Sequence, residues 1–180
     1  MSEQFNLLIM RKLQILKALL DFFFVISIIA IIAMVVFIPI MFFSTEPIDI
    51  PIKINGERIL VVDLITKSIL TLGIVSYCFF VYGIYLLRKV LNMFAKRIIF
   101  EETVILLLDK IGKSFLIASI FTSVPLFVYN ITHKTDHADV EFGGGFSSFL
   151  FTASLGLFFM VLSTVFKIAK NMKEENELTI

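Results

Sequence analysis

The stretch LLRKVLNMFAKRIIFEETVILLLDKIGKSF, residues Leu86–Phe115, decides how this chain is read. It is studded with charge, yet its apolar residues keep helical spacing. Leu86, Leu87, Val90, Leu91 and Phe94 recur on one face, with Arg88, Lys89, Asn92 and Lys96 on the other. Beyond a turn near residues 97–100, Val104, Leu107, Leu108 and Ile111 repeat the pattern against Glu102, Asp109 and Lys113. Residues three and four apart stack on one helix face, so each half predicts an amphipathic helix with one apolar stripe. Together the halves predict a helical hairpin.

On both sides of this hairpin the charge disappears. Ser68–Leu87 before it and Ser114–Ile131 after it hold no charged residue. Two further blocks match them: Ala18–Phe43, with Asp21 as its one charge, and Phe146–Phe166, with none. A membrane-spanning helix needs about 20 mostly apolar residues. The composition agrees: 58% of the 180 residues are hydrophobic and 17% charged, against roughly 45–50% and about 25% in soluble domains. The expectation is an all-α membrane protein with four transmembrane helices in an antiparallel bundle, a single domain over 1–180. The spans are expected at about 18–43, 68–91, 112–131 and 147–168, with loops at 44–66 and 132–146 and a turn at 92–102. The first block is longer than the ~7–15-residue core of a signal peptide and lacks a small-x-small cleavage site, so it is read as retained. Cys78, the single cysteine, lies inside the second span and has no internal disulfide partner.

Lysine and arginine gather on the cytoplasmic side of membrane helices. Arg11, Lys12 and Lys17 precede the first span; Arg88, Lys89, Lys96, Arg97, Lys110 and Lys113 separate the second from the third; Lys167, Lys170 and Lys173 follow the fourth. Opposite them stand Lys53, Arg58, Lys67 and Lys134. This places both termini and the hairpin on the cytoplasmic side of the membrane. The formal net charge of +1 hides the polarity because acidic residues share the same segments. The cytoplasmic ends are expected either to continue the helices as a short stalk or to lie along anionic headgroups, where each Lys or Arg contributes about 1 kcal/mol.

In the first outer loop Ile48, Ile50, Ile52 and Ile54 alternate with Asp49, Pro51 and Lys53 ahead of Asn55-Gly56 and the return ERILVV. Alternation around Asn-Gly predicts a small β-hairpin. Its isoleucines would face the helix ends or a second copy, so a homo-oligomer is among the expected states. The second outer loop holds HKTDHADVE, in which His133, Asp136 and His137 are candidate metal ligands because imidazole and carboxylate suit divalent ions such as zinc. The competing reading is a hydrated loop kept out of lipid by its charge.

Catalytic machinery is not legible: no nucleophile stands at useful spacing from a base, and there is no glycine-rich phosphate loop. No catalytic residue and no cofactor is expected. Nor is there a basic-aromatic module of the kind that binds nucleic acid directly. Ser27, Ser76, Thr122, Ser123, Ser154 and Ser163 read as close-packing or hydrogen-bonding positions between helices, with Ala118, Ser119, Thr122 and Ser123 as one seam. Transporters expose ionisable groups within their spans, and the interiors of these spans hold none, Asp21 and Lys67 lying near ends. Pro39 and Pro125 are potential kinks.

The segment IIFEETVILLLDKIGK is similar to the central motif of the DUF2975 family of bacterial membrane proteins. The matching positions are Phe100, Glu101, Glu102, Leu108 and Gly112. The ending KEENELTI is similar to the family's acidic run followed by Leu-Thr-Ile, here Glu177, Leu178, Thr179 and Ile180. Val104 departs from the asparagine frequent in the family. The resemblance covers nearly the whole chain. It implies a protein often encoded beside a small helix-turn-helix regulator, and hence a non-enzymatic regulatory or scaffold role. Phe100, Glu101, Glu102, Gly112 and the 177–180 tail would then hold a soluble partner. The alternatives are a small transporter or lipid-handling protein, and an extracytoplasmic metal or envelope sensor.

Overall fold

The computed structural model describes residues 2–43, 53–54, 57–58, 64–132 and 145–178. Four long helices account for nearly all of them: α1 (Ser2–Phe43), α2 (Leu64–Ala95), α3 (Glu102–Thr132) and α4 (Gly145–Leu178). Each outruns its apolar block at the charged end. Helix α1 starts at Ser2, α2 continues to Ala95, α3 begins at Glu102, and α4 reaches Leu178. The amphipathic ends are therefore prolongations of the same rods, and the expected turn at 92–102 tightens to residues 96–101.

Three of the helices contain segments long and apolar enough to cross a membrane: Arg11–Phe37 in α1, Lys67–Ala95 in α2 and Ser148–Glu177 in α4. The crossing expected over 112–131, in α3, is not among them. That helix carries Asp109, Lys110 and Lys113 in its first half and is packed on two sides.

The packing order departs from a closed bundle. Among the described residues α3 packs against both α2 and α4, while α1 packs against α2 alone. The helices thus form an arc with α3 at its centre and α1 at one edge. All neighbours are antiparallel. Asp21 meets Arg88 and Phe24 meets Tyr85 between α1 and α2. Ser76 meets Thr122 and Phe80 meets Phe115 between α2 and α3. Ser163 meets Ile105 and Lys170 meets Glu102 between α3 and α4.

The core lies toward the 96–101 end. Ile84, Leu86, Val90, Val104, Leu108, Ile111, Phe115 and Phe159 form one buried cluster. The apolar stripes of the opening stretch are its two walls, so the hairpin is held together by the transfer of those side chains out of water, about 1.5–3 kcal/mol for each large one. Val104 is completely buried. Helix α1 presents a narrow inner stripe through Leu20, Phe24 and Ser27 and exposes most of the rest.

Of the expected outer hairpin, the described residues hold β1 (Lys53–Ile54) paired with β2 (Glu57–Arg58), Lys53 opposite Arg58 and Ile54 opposite Glu57. Two residues per strand fall short of the three to ten of an ordinary strand. The pairing is a turn-sized contact and does not amount to the hairpin expected. The alternating Ile48, Ile50 and Ile52, with Asn55-Gly56, lie outside the described residues.

Candidate functional site

Phe100, Glu101 and Glu102 lie exposed where α2 turns into α3. Helix α2 ends in paired backbone bonds: the Ile98 N–H donates to the Met93 carbonyl at 2.9 Å, and the Arg97 N–H to the Phe94 carbonyl at 2.9 Å. This is the Schellman arrangement, which needs a left-handed residue just past the helix end. Glycine usually fills that place; here it is Arg97, with φ of 60°. A side chain in this conformation costs roughly 1–2 kcal/mol. On the far side, the Glu101 carbonyl accepts from the Val104 N–H at 3.0 Å and the Ile105 N–H at 3.3 Å, opening α3.

An aromatic column holds the turn against α4. The Phe166 ring lies 5.9 Å from Phe94 in a stacked contact and 5.8 Å from Phe100 in a tilted one. Phe100 is still partly open to solvent beside the exposed Ile99. Charges frame this apolar tip. Lys170 reaches Glu102 at 3.8 Å and Glu174 at 3.6 Å, and Lys173 reaches Glu177 at 3.7 Å. Such exposed pairs contribute up to about 1 kcal/mol each. Of the three, the Lys170–Glu102 pair joins α4 to the hairpin, and the other two lie within α4.

The structure therefore brings Phe100, Glu101, Glu102 and the exposed Glu177 to one end of the molecule. Leu178 closes α4 there, and Thr179 and Ile180 lie outside the described residues. Gly112 stands elsewhere. It is buried where α3 crosses α4, and a Cβ at that position would meet the Gly156 carbonyl oxygen at 2.6 Å. It is a close-packing position and presents no surface to a soluble partner. His133, Asp136 and His137 lie outside the described residues, and among the described ones no group of three potential metal ligands is found.

Two constellations were not legible beforehand. Asp21 accepts a hydrogen bond from Arg88 Nε, and the Arg88 guanidinium lies 4.3 Å from the Phe24 ring centroid. Lys89 lies 4.8 Å from the Tyr85 ring centroid. This cation–aromatic belt ties α1 to α2 at the level where the apolar blocks give way to charge, as tyrosine and arginine do at membrane interfaces. The signal was Asp21 itself, an acid at the edge of an apolar block that needed a partner. The second constellation is the role of Phe166 and Lys170, which follow Phe159 and Ser163 at intervals of seven and so share their inward side of α4.

The hydroxyl seam is present and is a contact between α2 and α3. Ser76 Oγ donates to the Ala118 carbonyl at 2.6 Å and lies 2.6 Å from Thr122 Oγ1, which in turn reaches the same carbonyl at 3.1 Å. Ser119 bonds within its own helix to Leu116. Ser123 Oγ is buried and has no hydrogen-bond partner among the described residues. Across the other interface Ser163 Oγ donates to the Ile105 carbonyl at 2.8 Å. Ser27 satisfies itself on Phe23 of its own helix.

A family model described as a protein of unknown function (DUF2975) matches residues 45–180. No curated protein and no solved structure matches the chain.

Proposed function

This chain belongs to the DUF2975 family, and on that premise we propose that it is a multi-pass protein of the bacterial inner membrane that docks a soluble partner at its cytoplasmic end, without catalysis of its own. All four helices cross. The uncharged run 114–131 of α3, at ~1.5 Å per residue, reaches about 27 Å, close to the ~30 Å hydrocarbon thickness. The lysines and arginines beside α1, between α2 and α3, and at the end of α4 put the 96–101 turn and both termini inside the cell.

The observation that carries the docking role is the tip itself. Ile99 and Phe100 stay exposed in a turn whose backbone is fixed at both ends by hydrogen bonds and whose ring is clamped by Phe166. A preformed apolar spot rimmed by Lys96, Arg97, Glu101 and Glu102 is suited to a soluble protein surface, because little ordering entropy remains to oppose binding. The packed core beneath it favours this reading over transport. The partner class follows from the family resemblance: a small helix-turn-helix regulator held at the membrane.

The test is co-purification in mild detergent of the regulator encoded beside the chain. Capture by the wild type is compared with an Ile99→Ser/Glu101→Lys variant and with a chain ending at Asn176. Loss of capture in either variant, with both still inserted in the membrane, supports the proposal. Capture by both at wild-type levels refutes it.

A further inference from the structure

Helix α4 shows α3 one side and leaves the opposite side open. Gly156, Ser163 and Lys170, seven apart, are the residues that meet α3. Directly opposite, Phe151, Phe158, Val165 and Met172 form one row at intervals of seven, and Ser154, Val161 and Ile168 form the row beside it. The six apolar members are each more than half exposed. Three-four alternation of this kind is the seam of a helix that packs against another helix in knobs-into-holes fashion.

As far as Met172 the charges of α4 avoid this seam, and Glu175 is the first to fall on it. In heptad terms Lys167, Lys170, Lys173, Glu174 and Glu177 all fall on the three positions away from it. The positions that flank it in the charged segment are Ala169, Asn171 and Asn176. A helix laid alongside therefore meets no like charge at the flanks until Glu175 ends the stripe, and an identical helix fits as well as any other.

Lipid does not account for the whole seam. The α3 contacts fix its level: Gly156 lies beside Gly112, Ser163 beside Ile105 and Lys170 beside Glu102. The part from Val161 to Met172 thus begins beyond the level of Asp109 and runs past Glu102 to the level of the 96–101 turn, where Phe100 meets Phe166. Those charges require water or headgroups, and an α-helix covers about 16 Å over such a length. Hydrocarbon shields the Phe151 end and leaves the Met172 end in a polar layer with its apolar side chains uncovered.

We infer that α4 packs along its own copy in a two-fold symmetric dimer, through Phe158, Val161, Val165, Ile168 and Met172. Two copies in one membrane share an orientation whichever way the chain faces, so the two α4 helices run parallel about an axis along the membrane normal, each using the same patch. At roughly 100 Å² of open surface per side chain, scaled from the ~150–250 Å² of an aromatic residue, these five apolar residues offer on the order of 500 Å² per protomer. The pair then buries about 1,000 Å², the size that a specific interface needs.

The test is disulfide cross-linking of the full chain in native membrane vesicles. The natural Cys78 is first replaced by alanine, and single cysteines are then introduced by Ile168→Cys and Met172→Cys on the seam, Lys167→Cys and Lys173→Cys beside it, and Phe22→Cys on the exposed side of α1. Oxidation with copper phenanthroline is expected to give a covalent dimer from the two seam variants in at least tenfold higher yield than from the other three. Equal yields around α4, no dimer from either seam variant, or preferential dimer through position 22 would each overturn the inference. So would quenching at position 168 by spin-labelled lipid as strong as at position 22, which would show acyl chains in place of a second copy. As an independent reading, light scattering in mild detergent is expected to give twice the chain mass for the wild type and a single chain mass for Ile168→Glu; a wild type of single mass overturns it.

Discussion

The crossing of α3 and α4 invites a single-atom experiment, Gly112→Ala. The added Cβ would sit 2.6 Å from the Gly156 carbonyl oxygen, 3.0 Å from the Met160 amide nitrogen and 2.5 Å from Met160 Cγ. The methionine side chain can turn away, but the carbonyl and amide belong to the backbone of α4. Carbon and carbonyl oxygen normally meet at about 3.3 Å, so the helices must part by roughly 0.7 Å. That separation loosens the flanking Phe115–Phe159 contact and stretches the Ser163 bond to Ile105, now 2.8 Å. Overpacking of this kind costs about 1–3 kcal/mol, and alanine recovers up to ~1 kcal/mol over glycine in helix propensity. The net expectation is a loss of about 1–2 kcal/mol, roughly a five- to thirtyfold fall in the folded-to-unfolded ratio. Gly156→Ala meets the Gly112 carbonyl at 2.8 Å and should behave alike. Because either substitution already parts the helices, the double variant should cost less than the sum, with a coupling of about 1 kcal/mol. Gly73→Ala is the control: nothing lies within 4 Å of its Cβ, so it should be neutral or stabilising by up to ~1 kcal/mol. The assay is reversible unfolding by sodium dodecyl sulfate in mild-detergent micelles, followed by tyrosine fluorescence, which the lack of tryptophan leaves unobscured. If Gly112→Ala unfolds with or after Gly73→Ala, the close crossing is not what sets the α3–α4 interface.

The same titration tests three further expectations. Arg97→Gly relieves the left-handed strain at the end of α2 and should stabilise by about 0.5–1 kcal/mol after glycine's extra entropy is counted, whereas Arg97→Val should destabilise. Ser76→Ala and Ser163→Ala each remove one hydrogen bond between helices and should cost about 0.6 kcal/mol apiece, the average found for such bonds in membrane proteins; a cost of several kcal/mol would contradict the geometry. A double-mutant cycle on Asp21→Asn and Arg88→Gln should give a coupling of no more than about 1 kcal/mol, because both side chains are partly solvated, and Arg88→Lys should not restore it, since lysine lacks the planar group that serves both Asp21 and Phe24.

The helical hairpin at Leu86–Phe115 could be read in advance because it is amphipathic. Its polar residues mark the outside, so Val90, Val104, Leu108 and Ile111 announced themselves as core and are buried. Phe100, Glu101 and Glu102 were singled out by the family resemblance and lie exposed at the turn. The rest of the packing was not legible. In α1 and most of α4 nearly every residue is apolar, so periodicity names no inner face. Ser27, Gly156 and Phe159 become inward residues only through the shapes they meet. Gly112 stood out as a motif residue, and its position in the motif carried no sign that it packs against a glycine more than 40 residues away. Of the outer loop the described residues hold a ladder of two residues per strand, and the alternation that suggested a hairpin lies mostly outside them.

Sequence alone determined the greasy rods, their approximate ends and the turn that joins the second to the third. Transfer from water to an apolar medium is a local quantity, and it adds up along the chain without reference to any partner. Tertiary structure decided that the rods form an arc centred on α3, that two glycines set the closest approach, that Asp21 finds Arg88, and that one stripe of α4 is left uncovered. Those outcomes depend on complementarity between faces distant in sequence, where a single methyl group is the difference between contact and clash.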